Sequence, residues 1–337
     1  MELSICSVEG NRGGVRHCGV YEVAACTFPD HPAPSAKPFR ARSIGLYLSN
    51  LPRPGKIGSL KALNPLNPLN EYPFFYGDKP RIIGHRGAMG EAPENTVLSF
   101  QRAFEDGAKF LELDVQGSKD GEVVIIHDAT LERTTNGRGR VNRHSLKELK
   151  ALDAGYWFTS DGGKSYPCRG RKIEIPTLRE LFSTLPQARI IIEIKQDRPP
   201  IVKKVIETVR RAGNEELVLL ATEKDQIMKE IRRELQTSEL SISTGFSYGE
   251  VAAFMSWLAG GRREAYAPPA QAFQIPCEYG GMTLVNEQTL GAAHELGLEM
   301  FVWTVNDREE MARLLALGVD GIITDFPGRL RGLVLEN

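Results

Sequence analysis

Four short clusters in this sequence carry residue types that could do chemistry together. His85-Arg86 stands between Gly84 and Gly87, just after the apolar pair Ile82-Ile83. Glu112 and Asp114 interrupt the run from Phe110 to Val115, His127-Asp128 closes the run from Val123 to Ile126, and Glu193 and Lys195 close the run that begins at Arg189. The three carboxylates Glu112, Asp114 and Glu193 form a hard, oxygen-only donor set that suits Mg2+ or Ca2+ better than zinc. His85 and His127 then fit a general acid and base, and Arg86 and Lys195 supply fixed positive charge for phosphate oxygens. These are the parts needed for metal-assisted attack on a phosphate ester.

The elements that must position these groups follow from where they fall. Each cluster lies at or near the end of a strand-like run. In a strand, residues i and i+2 share a face, so Glu112 pairs with Asp114 and Glu193 with Lys195. Charges among apolar strand residues are costly unless paired or bound to metal. Taken singly, a Glu-X-Asp in a strand is more often a salt-bridged rim, and a Glu-Ile-Lys a self-paired surface strand. Their recurrence at matching places in consecutive units favours a common mouth. From Arg81 onward, strand-like runs alternate with helical periodicity, which predicts an α/β fold with a parallel sheet covered by helices. Residues 80–337 match a TIM (β/α)8 barrel, which typically spans about 250 residues. There are nine candidate strands for eight places, and Ala272–Ile275 or Leu240–Thr244 is the expected surplus. A doubly wound sheet competes, but Gly84-His85-Arg86-Gly87 is not the dinucleotide fingerprint. Residues 129–176 are polar and Gly-rich, and a stretch of that length predicts a lid or insertion.

Residues 1–79 show no sustained periodicity. They are expected to be a disordered extension or a mis-assigned start, with a true start nearer Tyr72. Zinc binding by His17, Cys18, Cys26 and His31 matches no usual ligand spacing. The chain has 42 Lys and Arg against 43 Asp and Glu, so nothing suggests a nucleic-acid partner. No run approaches the ~18 apolar residues of a membrane span, and the first residues lack a secretory pattern. The five cysteines do not read as a disulfide framework, which points to a reducing, cytoplasmic setting. Trp303 is either a barrel-filling aromatic or a platform for a substrate's carbon backbone. Asp325 is either a support for the site or structural. His144 and His294 receive no role.

Residues 80–330 resemble the glycerophosphodiester phosphodiesterases. The resemblance rests on Gly84-His85-Arg86-Gly87 with Pro93-Glu94-Asn95-Thr96, on Glu112-Leu113-Asp114-Val115, and on His127-Asp128. It continues through Glu193-Ile194-Lys195, Trp303-Thr304-Val305-Asn306 and the stretch from Gly318 to Pro327. It implies a TIM barrel, a divalent metal held by Glu112, Asp114 and Glu193, an acid–base pair in His85 and His127, and phosphate binding by Arg86 and Lys195. The implied reaction cleaves a glycerophosphodiester to sn-glycerol 3-phosphate and an alcohol. After the fifth run many members carry Ser-Phe, whereas this chain has Ala221-Thr222-Glu223, so the alcohol preferred is left open. Two other functions stand beside this one. A lysophospholipase D would need an apolar entrance, expected at Tyr156, Trp157 and Phe158, and a catalytically inactive barrel would only bind phosphodiesters.

Overall fold

The computed structural model describes Leu69 and residues 72–336. The zinc reading at Cys18 and Cys26, and most of the expected extension, lie outside them. Eleven strands occur among the described residues: β1 (Arg81–His85), β2 (Phe110–Gly117), β3 (Val123–Ile125), β4 (Arg189–Ile194), β5 (Val218–Ala221), β6 (Ser243–Thr244), β7 (Ala272–Ile275), β8 (Glu278–Tyr279), β9 (Met282–Thr283), β10 (Glu299–Val302) and β11 (Gly321–Thr324). The helices are α1 (Val97–Glu105), α2 (Leu146–Lys150), α3 (Leu178–Thr184), α4 (Val202–Ala212), α5 (Asp225–Ser238), α6 (Tyr248–Ala259), α7 (Glu287–Glu295), α8 (Arg308–Leu317) and α9 (Pro327–Glu336).

Eight parallel strands run in the order β6-β5-β4-β2-β1-β11-β10-β7. A parallel bridge from Gly245 to Ala272 joins the two ends and closes the ring. Each of these strands leads to a helix on the outside, the arrangement of a TIM barrel. Both suspected surplus strands, Ala272–Ile275 and the end of Leu240–Thr244, belong to the barrel. The surplus is Val123–Ile125, which pairs antiparallel with β2 through Val115–Ile125 and Gly117–Val123. Its β-branched run is apolar because it is covered on both faces without being a barrel stave: Val124 and Ile126 share a cluster with Leu131, Val141, Leu149 and Ile175 under the insertion, while Val123 and Ile125 join the core between barrel and helices. Strand burial alone did not distinguish the two situations.

Local signals account for most element ends. The apolar residues Val202, Val205, Ile206 and Val209 fall on one face of α4 and are buried. Gly213, at φ +69°, ends that helix in the left-handed conformation. Ser145 and Glu148 start α2, and Thr177 and Glu180 start α3, each with a reciprocal capping box.

The barrel interior holds Ile83, Phe110, Ile191, Leu219, Phe301 and Ile323, and the short helix Pro73–Phe75 plugs its floor. Phe74 packs edge-on against Phe110 with ring centroids 5.5 Å apart. Arg81 is buried above this plug. Its Nε and Nη2 donate to the two Glu299 carboxylate oxygens at 2.8 and 2.7 Å, and Nη2 also donates to the Phe75 carbonyl. Leu69 and Tyr72 pack against the same interior cluster from just ahead of the helix Pro73–Phe75. Among the described residues no helix is long and apolar enough to cross a membrane.

Candidate active site

Strand register brings the carboxylates together. His85 lies opposite Glu112 in the β1–β2 ladder. Asp114 lies opposite Glu193 in the β2–β4 ladder. β2 and β4 are neighbours only because β3 stands outside the ring, so three adjacent strands deliver these groups to the C-terminal mouth. Glu112, Asp114 and Glu193 each offer an oxygen within 4.8 Å of the others. Glu112 and Asp114 are buried.

The charges in this cluster strain against one another. Burial and the neighbouring Asp114 push Glu112 up to about 7, and burial also raises Glu193 despite the ammonium of Lys195 beside it. Lys195 Nζ lies 2.8 Å from Glu193 and 3.3 Å from Asp114. Burial would lower the Lys195 pKa, but these two carboxylates outweigh it and hold the ammonium charged. Three crowded oxygen donors, two of them pushed toward their neutral forms by burial and by neighbouring carboxylates, fit a hard divalent cation.

Asp114 is aimed by Asn95, whose Nδ2 donates to Asp114 Oδ2 at 2.9 Å. The Asn95 Oδ1 also accepts from the Asp114 backbone N–H at 3.3 Å. Asn95 does this from the left-handed region, at φ +57°. The helix α1 is capped by Thr96, whose side chain accepts from Ser99 N. Arg86 is also left-handed, at φ +51°. Its backbone N–H donates to Glu112 at 3.0 Å, its Nη1 to Glu94 at 2.7 Å, and its Nε lies 3.2 Å from Asp114 without hydrogen-bond alignment. The following Gly87, at φ +85°, lies so close to α1 that a Cβ would come within 2.5 Å of Ser99. Only glycine allows that approach.

Both imidazoles rest on an aspartate. His85 Nδ1 donates to Asp325 at 2.6 Å, leaving Nε2 3.9 Å from Glu112. Burial opposes charging of this ring, but Asp325 and Glu112 outweigh it and raise its pKa. Asn306 fixes Asp325 in turn, donating from Nδ2 at 2.6 Å and accepting the Asp325 N–H at 2.9 Å. His127 Nδ1 donates to Asp128 at 2.6 Å. His127 comes from the residues after β3, not from a barrel strand as expected. Trp303 follows β10 and is 43% exposed, so it stands at the mouth while Phe301 fills the barrel.

Of the residues singled out in the sequence, Glu112, Asp114, Glu193, Lys195, His85 and Arg86 lie against one another, His127 and Trp303 follow strand ends outside that cluster, and the supporting residues were the part missed. Glu94 and Asn95 read as turn residues, Arg133 as loop, and Asn306 drew no role. The one available signal was the density of Asn, Asp and Glu immediately after strand ends. His294 bonds Asp320 at 2.9 Å just before β11, at the opposite end of that strand from Asp325.

Comparison with known proteins agrees with this geometry. The model of the glycerophosphoryl diester phosphodiesterase family matches residues 85–329. A glycerophosphodiester phosphodiesterase of Caldanaerobacter subterraneus subsp. tengcongensis is 36% identical over 261 residues, covering 76% of this chain and 98% of the relative. A lysophospholipase D of Mus musculus is 29% identical, covering 74% of this chain and 85% of the relative. Among solved structures, an Oleispira antarctica phosphodiesterase in complex with the product sn-glycerol-3-phosphate is 26% identical with a TM-score of 0.61, covering 76% of this chain and 96% of that one. With the family match running from the first site histidine past Asp325, this chain belongs to the glycerophosphoryl diester phosphodiesterase family.

Proposed function

We propose that the protein is a metal-dependent glycerophosphodiester phosphodiesterase, with Glu112, Asp114 and Glu193 as metal ligands, His85 and His127 as acid–base pair, and Arg86, Lys195 and Trp303 as substrate contacts. The carrying observation is the strand register that sets three carboxylates within 4.8 Å of one another beside an aspartate-backed imidazole. Mg2+ or Ca2+ is the proposed ion. When bound, it supplies charge neutralisation at the phosphoryl oxygens and acidifies a coordinated hydroxyl.

The chain's own groups do the rest. Lys195 and Arg86 stay protonated and offset charge developing on phosphorus-bound oxygens. One imidazole Nε2 takes the proton of the glycerol 2-hydroxyl as its oxygen bonds to phosphorus. The other gives a proton to the departing alcohol oxygen as that P–O bond breaks. Water then opens the cyclic phosphate with the two imidazoles in exchanged roles. Asp325 and Asp128 hold each Nδ1–H, so proton transfer runs through Nε2, which is bare in the ring acting as base and protonated in the ring acting as acid. Trp303 offers an apolar face for the glycerol carbons. A reducing, cytoplasmic setting belongs to this proposal, supported by cysteine spacing that does not read as a disulfide framework. The test is hydrolysis of glycerophosphocholine with Mg2+, Ca2+ or EDTA. EDTA-sensitive release of glycerol 3-phosphate is expected. Its absence with every metal leaves only a binding barrel.

A second substrate, lysophospholipid, is favoured by one observation. Tyr248, Tyr279, Met282 and Trp303 are all exposed apolar residues on segments that follow β6, β7 and β10 at the mouth. Tyr248 and Tyr279 meet edge-on at 5.8 Å. Of the residues expected at an entrance, Tyr156, Trp157 and Phe158, the first two join Tyr166 around the Arg169 guanidinium at 4.0–4.9 Å, with Trp157 still exposed. Met282→Asp should lower turnover of lysophosphatidylcholine severalfold and leave glycerophosphocholine unchanged. Equal effects on both substrates would remove the rim from substrate binding.

A further inference from the structure

We propose that Arg133 is a positioning residue for His127, acting through Asp128 and anchored on Glu94. The inference rests on the phosphodiesterase reading of the site. His127 stands on an arm outside the barrel; the β2–β3 register and the Gln116 Nε2 bond to its carbonyl at 3.0 Å place its backbone, but they leave its ring without a tie to the carboxylate cluster. Arg133 supplies that connection. Its Nε donates to Asp128 Oδ2 at 2.6 Å and its Nη2 to Asp128 Oδ1 at 3.3 Å. Its Nη1 and Nη2 donate to the two Glu94 oxygens at 2.5 and 2.8 Å. Glu94 accepts from Arg86, and Arg86 donates its backbone N–H to Glu112. An alternating row of charges therefore runs from the His127 imidazole to the carboxylate cluster: His127, Asp128, Arg133, Glu94, Arg86, Glu112.

The chemistry of the guanidinium suits this place. Its planar fork can hold two carboxylates at a fixed mutual distance, which an ammonium cannot. Asp128 has one oxygen on His127 Nδ1 and both on Arg133, so its carboxylate plane is set by Arg133 and the imidazole by Asp128. Glu94 stands on the turn between β1 and α1, so the anchor belongs to the barrel while Arg133 belongs to the insertion. The insertion is thereby tied to the mouth at the residue that orients an acid–base group.

The test combines kinetics with the 15N–1H signals of histidine side chains in the full chain, recorded where the rings are neutral. In Arg133→Met, kcat for glycerophosphocholine should fall about 10–100-fold, part of the 10²–10⁴ that a placed acid or base contributes. KM should stay within about twofold, since no contact uniform to ground and transition states is lost. The His127 ring should change from the Nδ1–H tautomer to a mixture, with His85, held by Asp325, as the unmoved internal reference. Arg133→Lys should recover part of kcat. Unchanged His127 signals, changes in both rings, or a loss confined to KM would each overturn the assignment. The ring signals read positioning without turnover, so an inactive wild-type chain with the expected tautomer change would defeat the phosphodiesterase reading alone.

Discussion

At the scale of single residues, the site is built from pairs in which one side chain acts and another aims it. His85→Ala or His127→Ala should each lower kcat by about 10²–10⁴-fold, since each removes a proton-transfer group. The thermal midpoint should hold, because both rings are partly exposed. Near-wild-type kcat in either variant would remove that histidine from the reaction. Asn95 gives a separate test. Asn95→Gly keeps the positive φ without strain and deletes both bonds to Asp114. Divalent-metal affinity, read by calorimetry, should weaken about 10–100-fold, as for other outer partners of metal ligands. The acting residues were legible in the sequence because titratable groups in apolar runs are conspicuous. Their supports were not, because Asn95, Glu94 and Asn306 sit in turns, where such residues occur for local reasons as well.

At the scale of elements, the insertion and the barrel meet through Glu94, Arg133 and Asp128. Burial would raise both carboxylic acids, but the Arg133 hydrogen bonds, with Arg86 for Glu94 and His127 for Asp128, hold each at about 2. A folded-state pKa below the unfolded value contributes stability that is present above the unfolded pKa and lost as pH falls through the folded one. Urea midpoints measured against pH should therefore decline from about pH 4 toward pH 2. Arg133→Met should already be weakened at neutral pH and show a shallower decline across that window. Identical pH profiles would show that the two carboxylates gain nothing from Arg133. The periodicity of helices such as α4 was plain from the sequence, and so were most strands. The role of Val123–Ile125 was not, because an apolar β-branched run looks the same whether its partner is a parallel stave or an antiparallel arm. Only the pairing decides, and pairing is a long-range property.

At the scale of the whole molecule, the barrel separates stability from chemistry along its axis. Its floor is Phe74, Phe75 and the buried Arg81–Glu299 pair, and its mouth holds the carboxylates and imidazoles. Phe74→Ala should cost about 3–5 kcal/mol in denaturant unfolding, the usual range for a buried aromatic, with little change in KM. An unaltered unfolding midpoint would mean that the plug is not part of the packed unit. The mouth is the harder test, because it needs side chains from β2 and β4 to share a single ion. Anomalous diffraction from crystals soaked in Mn2+, a stand-in for Mg2+, measures this directly. The account predicts one strong peak within coordinating distance of Glu112, Asp114 and Glu193 together. A soaked crystal with no peak there, or with manganese bound only at other carboxylates, would contradict it.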